Sequence, residues 1–142
     1  MIDRGDKMTK KELEQVYYLR KELEMWQTRL KELNYDIALS PKVLDGMPYS
    51  KTNKTTSPTE DKAIRIADIH KIISGKRSEI ELAINDIERF ITSIDDSIMR
   101  QIVEYRCCCL MKWNDIAAKI GGGYTGDSVR QMYHRFTKEL DR

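Results

Sequence analysis

The segment Trp113-Asn114-Asp115-Ile116-Ala117-Ala118-Lys119-Ile120-Gly121-Gly122-Gly123-Tyr124-Thr125-Gly126-Asp127-Ser128-Val129-Arg130-Gln131-Met132-Tyr133-His134-Arg135-Phe136-Thr137-Lys138-Glu139-Leu140 decides the reading of this chain. Trp113, Ile116, Ala117 and Ile120 recur at i, i+3, i+4 and i+7, the period of one helix face. The glycine run then stops the helix, because glycine accepts the positive φ of a C-terminal cap. Thr125 suits the N-cap of a second helix from about Gly126 to Leu140, whose apolar face is Val129, Met132, Tyr133, Phe136 and Leu140. Short helix, glycine turn and longer helix, each with one apolar face, make a helix-turn-helix pattern.

Removing the apolar stripe from the second helix leaves Asp127, Ser128, Arg130, Gln131, His134, Arg135 and Lys138. In a DNA-binding helix-turn-helix this helix lies in the major groove. Arg, Gln and Ser suit base edges, Arg and Lys suit phosphates, and the free N–H groups of a helix start hold a phosphate. With Thr125 these residues are the candidate DNA-binding set. Asp127 opposes a phosphate at its own position, though it also suits a helix first turn. The plainer alternative, an amphipathic helix with a solvated polar face, fits the periodicity equally well.

Working outward, Asp95-Asp96-Ser97 can cap a helix over about 97–109, with Ile98, Ile102, Tyr105 and Cys109 on one face. Residues 9–34 carry Val16, Leu19, Leu23, Trp26, Leu30 and Leu33 at alternating spacings of three and four, a heptad seam. A second seam follows the capping box Ser57-Pro58-Thr59-Glu60 and runs to about Thr92. It contains Ile66, Ile69, Ile73, Lys76, Ile80, Ala83, Ile87 and Phe90, with Ile94 next in register. Lys76 beside Ser74-Gly75 marks a weak or bent point. Residues 40–57, with Ser40-Pro41, Gly46, Pro48 and a polar run, read as a linker. The expected fold is all-α. An N-terminal antiparallel helical hairpin over 1–94, coiled-coil-like, precedes a C-terminal helix-turn-helix bundle over 95–142. Pairing of the heptad stripes between two chains is the competing use.

The chain has 142 residues, of which 40% are hydrophobic and 34% charged. That balance excludes wholesale disorder, and no apolar run is long enough to span a membrane. The opening Met1-Ile2-Asp3-Arg4-Gly5-Asp6 lacks the apolar stretch of a signal peptide, so a cytoplasmic location is expected. Net charge is only +2, but residues 97–142 hold 8 basic against 5 acidic side chains, and 57–96 hold 6 against 9. The cysteines are consecutive, Cys107-Cys108-Cys109, and project about 100° apart on a helix, which does not build a zinc site. They are expected to be small buried hydrophobes. An enzyme is not expected. The glycine turn lacks the lysine of a phosphate loop and follows a helix, and no H-E-x-x-H occurs. Carboxylate pairs sit at helix starts, and His70 falls beside the heptad seam, where packing is expected. No catalytic residue, cofactor or metal is assigned.

Trp113-Asn114-Asp115-Ile116-Ala117-Ala118-Lys119-Ile120-Gly121 resembles the W-x-x-I-A-x-x-L-G stretch of sigma-70 region 4-like domains. Thr125, Ser128-Val129-Arg130, Met132, Arg135 and Leu140 resemble the recognition helix of the same group. Ser40-Pro41, Asp45-Gly46-Met47-Pro48, the Pro58-Thr59-Glu60 helix start and the helix-turn-helix together resemble phage and prophage transcriptional regulators of the ArpU/RinA type, over roughly residues 10–140. That resemblance implies a DNA-binding activator of late phage genes, with double-stranded DNA as partner and Thr125, Ser128, Arg130, Gln131, His134 and Arg135 facing it. RNA polymerase and a second copy of the chain are further candidate partners. Two features depart from the family pattern: the turn Gly121-Gly122-Gly123-Tyr124 is longer, and Lys112 replaces the usual Ser or Thr cap. A small terminase subunit is the nearest rival, but such proteins usually place the DNA-binding part first. A helical interaction protein without DNA binding is the other. Residues 57–96 lack the aromatic and basic residues of a promoter-melting module, so a whole sigma factor is not expected.

If the assigned apolar face is correct, Phe136→Ala destabilises the protein by roughly 3–5 kcal/mol through lost packing. A thermal melt unchanged by the substitution would show that the face is misassigned.

Overall fold

The structure is a computed structural model and describes residues 7–39 and 58–142. All regular elements among these residues are helical, as the periodicities require. They are α1 (Lys10–Leu13), α2 (Gln15–Leu39), α3 (Pro58–Ile91), α4 (Ser97–Val103), a π-helical turn (Glu104–Cys108), α5 (Trp113–Ile120) and α6 (Gly126–Leu140). The Ser57 cap and the 40–57 linker lie outside the described residues.

Two compact units divide the chain, with boundaries inside α2 and α3 and not between residues 94 and 95. One unit comprises 22–77. Its core is Leu33, Ile69 and Ile73, with Leu23, Trp26, Leu30 and Ile66 packed against them. Here the two stripes cover each other within one chain. Lys76, the charge in the second seam, is half-buried and pairs with Glu22 at 3.1 Å. The helix continues through Ser74-Gly75, so no break occurs there. His70 is exposed. It follows buried Ile69 by one residue, about 100° of helix, which turns it away from the seam instead of into it.

The other unit comprises residues up to 21 together with 78–142. The expected helix over 9–34 begins at Lys10, is interrupted at Glu14 and continues to Leu39, five residues beyond its expected end. Thr9 and Glu12 form a capping box, α1 ends at Leu13, and Glu14 adopts φ −86°, ψ −4° before α2 begins. Leu13 and Val16 are fully buried, so this piece belongs to the unit's core. The Lys10 amide donates to Asp141 Oδ1 at 3.1 Å, tying the start of α1 to the C-cap of α6.

Asp96 is the N-cap of α4, accepting from the Ile98 amide at 3.1 Å. Arg100 donates to the carbonyls of Ile94 and Asp95 at 2.6 and 3.1 Å, satisfying the chain end beyond α3. The expected helix over 97–109 changes type at Glu104. The Cys109 amide donates to the Glu104 carbonyl at 3.1 Å, a wider i→i+5 turn that carries one extra residue. That residue shifts every later side chain around the axis. Cys107 and Cys108 are therefore buried, and Cys109 is exposed instead of continuing the Ile98–Ile102–Tyr105 face. Leu110 then takes φ +56°, a left-handed turn that stops the helix.

α5 packs chiefly on α6, and α4 touches both. Gly121, Gly122 and Gly123 all have positive φ, between 68° and 81°, so the turn uses the conformations that only glycine adopts freely. The Tyr124 ring lies over this turn, 3.7 Å from where a Gly122 Cβ would stand. Buried Gly126 marks the close approach of the two helices. A Cβ there would run into the Asn114 side chain and lie 3.1 Å from the Asn114 backbone nitrogen. Phe136 is half-buried against Phe90, ring centres 6.2 Å apart, on the apolar face assigned to it.

Two glycine substitutions are expected to act in opposite directions. Gly75 sits exposed in α3 with open space around its α-carbon, so Gly75→Ala raises stability by about 0.4–1 kcal/mol. Gly126→Ala lowers it by about 1–3 kcal/mol through overpacking at Asn114. Urea denaturation of both variants checks the signs.

Candidate nucleic-acid interface

The N-terminus of α6 is set by a reciprocal capping box. Thr125 Oγ1 accepts from the Ser128 amide at 3.1 Å, and Ser128 Oγ accepts from the Thr125 amide at 2.9 Å. Ser128 Oγ also donates to the Thr125 carbonyl at 2.8 Å. The sequence points to Thr125 as the cap; the return arm from Ser128 replaces the longer Glu or Gln usual at that position. Ser128 is accordingly half-buried, and its hydroxyl is committed to the helix start.

Asp127, Arg130, Gln131, His134, Arg135 and Lys138 are exposed on α6, while Val129, Tyr133 and Thr137 are buried on the opposite side. Asp127, Gln131, His134 and Lys138 recur at spacings of four, three and four, one continuous stripe down the outer face. Arg130 borders this stripe on one side and Arg135 on the other. Arg130 Nη2 lies 3.3 Å from Asp127 Oδ1, and the two side chains are 46% and 79% exposed.

His134 is less independent than its exposure implies. Its ring centre is 6.4 Å from Trp113 and 6.0 Å from Tyr133. Trp113 in turn lies 5.3 Å from Tyr133 and carries the Arg106 guanidinium 4.1 Å from its ring centre. Arg106 Nη1 donates to the Met111 carbonyl at 2.9 Å. Lys112, the N-cap of α5, supplies no side-chain hydrogen bond, as its chemistry dictates. Arg106 thus steadies the entry to α5 from the π-helical turn. Its isolated position in the sequence gave no periodic or capping signal for this role.

Beneath these rings the Cys107 thiol lies 3.7 Å from the Tyr133 hydroxyl. Burial pushes the Cys107 thiol up to about 12, outweighing the opposing hydrogen bond with Tyr133. Burial, then Cys107 itself, pushes the Tyr133 phenol upward as well. A cleft of about 370 Å³ opens here, lined by Glu14, Tyr17, Tyr18, Arg106, Trp113 and His134 among others.

Among the described residues, Glu88, Glu104 and Cys108 bring three metal-type ligand atoms within 4.8 Å of one another. Burial and then the Glu104 carboxylate push the Cys108 thiol upward, favouring the protonated form, which is a poor ligand. Among the described residues, no helix is long and apolar enough to cross a membrane. The chain matches no family model, no curated protein and no solved structure.

Stability is expected to fall in alkali. The Cys107 thiol has its ordinary value of 9.0 when unfolded, and burial pushes it up to about 12 when folded. Between these values the unfolded chain binds fewer protons, so stability is complete below pH 9 and declines as pH rises towards 12. Urea denaturation from pH 8 to 11 should show this fall, with a shallower slope for Cys107→Ala. At neutral pH, Ellman's reagent should react quickly with exposed Cys109 and with the other two thiols only on unfolding.

Proposed function

We propose that this protein is a sequence-specific regulator of transcription that lays α6 in the major groove of double-stranded DNA. The observation that carries the reading is the outer stripe of α6. Base-reading side chains, Arg130 and Gln131, lie near the N-terminal end of the helix, and cationic Arg135 and Lys138 follow toward its C-terminal end. This is the order a helix needs when its N-terminal half contacts bases and its later residues contact the backbone. The rigid support behind the stripe, built from Trp113, Tyr133 and the Gly126–Asn114 approach, suits a helix that must hold its register.

Phage and prophage regulators of the ArpU/RinA type remain the family this reading favours, through the sequence resemblance, with late genes as targets. RNA polymerase and a second copy of the chain are proposed partners, the bacterial host cytoplasm is the proposed location, and no catalytic activity is proposed. Dimer half-sites would lie about one helical turn of DNA apart.

The test is selection of genomic fragments by the purified protein, followed by titration of the enriched DNA at two salt concentrations. Enrichment beside a promoter, with affinity falling steeply in salt, is the expected result. Arg135→Ala should weaken binding about equally for all sequences and reduce the salt slope by about one. Enrichment at a packaging origin would favour a terminase role, and no binding at low salt would reject DNA as the ligand.

A further inference from the structure

We propose that Asp127 and Arg130 act as one reading unit for a single G·C base pair. The inference rests on the reading of α6 as the groove-binding helix. Both residues lie in the first turns of α6, the part of such a helix that meets base edges. Their 3.3 Å pairing joins Nη2 of the guanidinium to Oδ1 of the carboxylate and favours one direction for the long arginine. A guanidinium has five N–H donors, so enough remain for a two-pronged contact with guanine O6 and N7. With one oxygen of Asp127 on the guanidinium, the other is left to accept from the N4 amino group of the paired cytosine.

The chemistry discriminates twice. An A·T pair presents the adenine N6 amino group, a donor, towards the arginine donors, and the thymine O4, an acceptor, towards the carboxylate. Both members of the pair are then mismatched at one position. Asp127 adds a second function, because its charge repels phosphate and penalises registers in which the backbone reaches the helix start. The neighbouring hydroxyls do not compete for this role, since those of Thr125 and Ser128 are engaged in the capping box. At 79% exposure Asp127 is not needed for packing, so its substitution leaves the fold intact.

The experiment selects sites from a random duplex library with the full chain. Affinities are then measured for the selected site and for every single-pair replacement, using wild type, Arg130→Lys, Asp127→Asn and the double variant. Lysine keeps the charge but loses the fork, and asparagine keeps the shape but loses the charge. One G·C pair is expected at which replacement by A·T costs wild type about ten- to a hundred-fold and costs each single variant less than about threefold. Asp127→Asn should also bind unrelated duplex more tightly than wild type, and the double variant should discriminate no worse than Arg130→Lys. Unchanged discrimination in the variants, or an equal loss at every position, would overturn the G·C assignment while leaving α6 as the DNA-binding helix. A library with no enriched sequence would instead overturn the groove reading of α6 itself.

Discussion

The arrangement of α5 and α6 depends on one close approach, the packing of Gly126 against the start of α5 at Asn114. A side chain at that position would have to displace the Asn114 side chain and would lie 3.1 Å from the Asn114 backbone nitrogen. The glycine turn that joins the two helices is tightly wound, with three successive residues at positive φ. The stack of Arg106, Trp113 and Tyr133 completes the same junction at this end of α5. It joins the π-helical turn, the entry to α5 and the back of α6 into one support. The outer face of α6 is therefore backed by a packed junction, although the residues on that face make few contacts of their own.

That separation of labour explains how one helix carries two unlike sequences. Its inner face is chosen for volume and its outer face for hydrogen-bonding type and charge. The cap takes Thr125 and Ser128, leaving Asp127, Arg130 and Gln131 as the side chains nearest the helix start with polar groups to offer a ligand. An exposed ion pair such as Asp127–Arg130 adds little to stability, on the order of 0–1 kcal/mol. Its consequence lies in orientation, since it limits where the guanidinium points.

Much of this was legible in the sequence, because local periodicity and capping chemistry produce it. The α5 and α6 faces, the glycine turn, the Thr125 and Asp96 caps and the all-helical class follow from spacing over fewer than ten residues. Features set by long-range contact were not legible. The Lys10–Asp141 hydrogen bond spans nearly the whole chain, and no local signal joins its ends. The π-helical turn was hidden because one extra residue in a turn resembles an ordinary helix until its hydrogen bonds are known; it misplaced Cys109 in the expected face. The unit boundary inside α2 was equally invisible, since the first heptad seam runs across it unbroken, whereas the boundary inside α3 falls beside Lys76, the charge that interrupts the second seam. Nothing in the spacing around Gly126 signalled its close approach to Asn114, which only the packing of the two helices brings about.

The central claim, that the outer face of α6 meets DNA, is tested most directly by amide NMR of the full chain titrated with its selected duplex. The account predicts that shifts concentrate between Gly121 and Lys138, with the largest at Asp127, Arg130, Gln131 and His134, while the Leu33–Ile69–Ile73 core of the 22–77 unit stays unperturbed. Shifts centred on α2 and the first half of α3, with α6 unaffected, would contradict it.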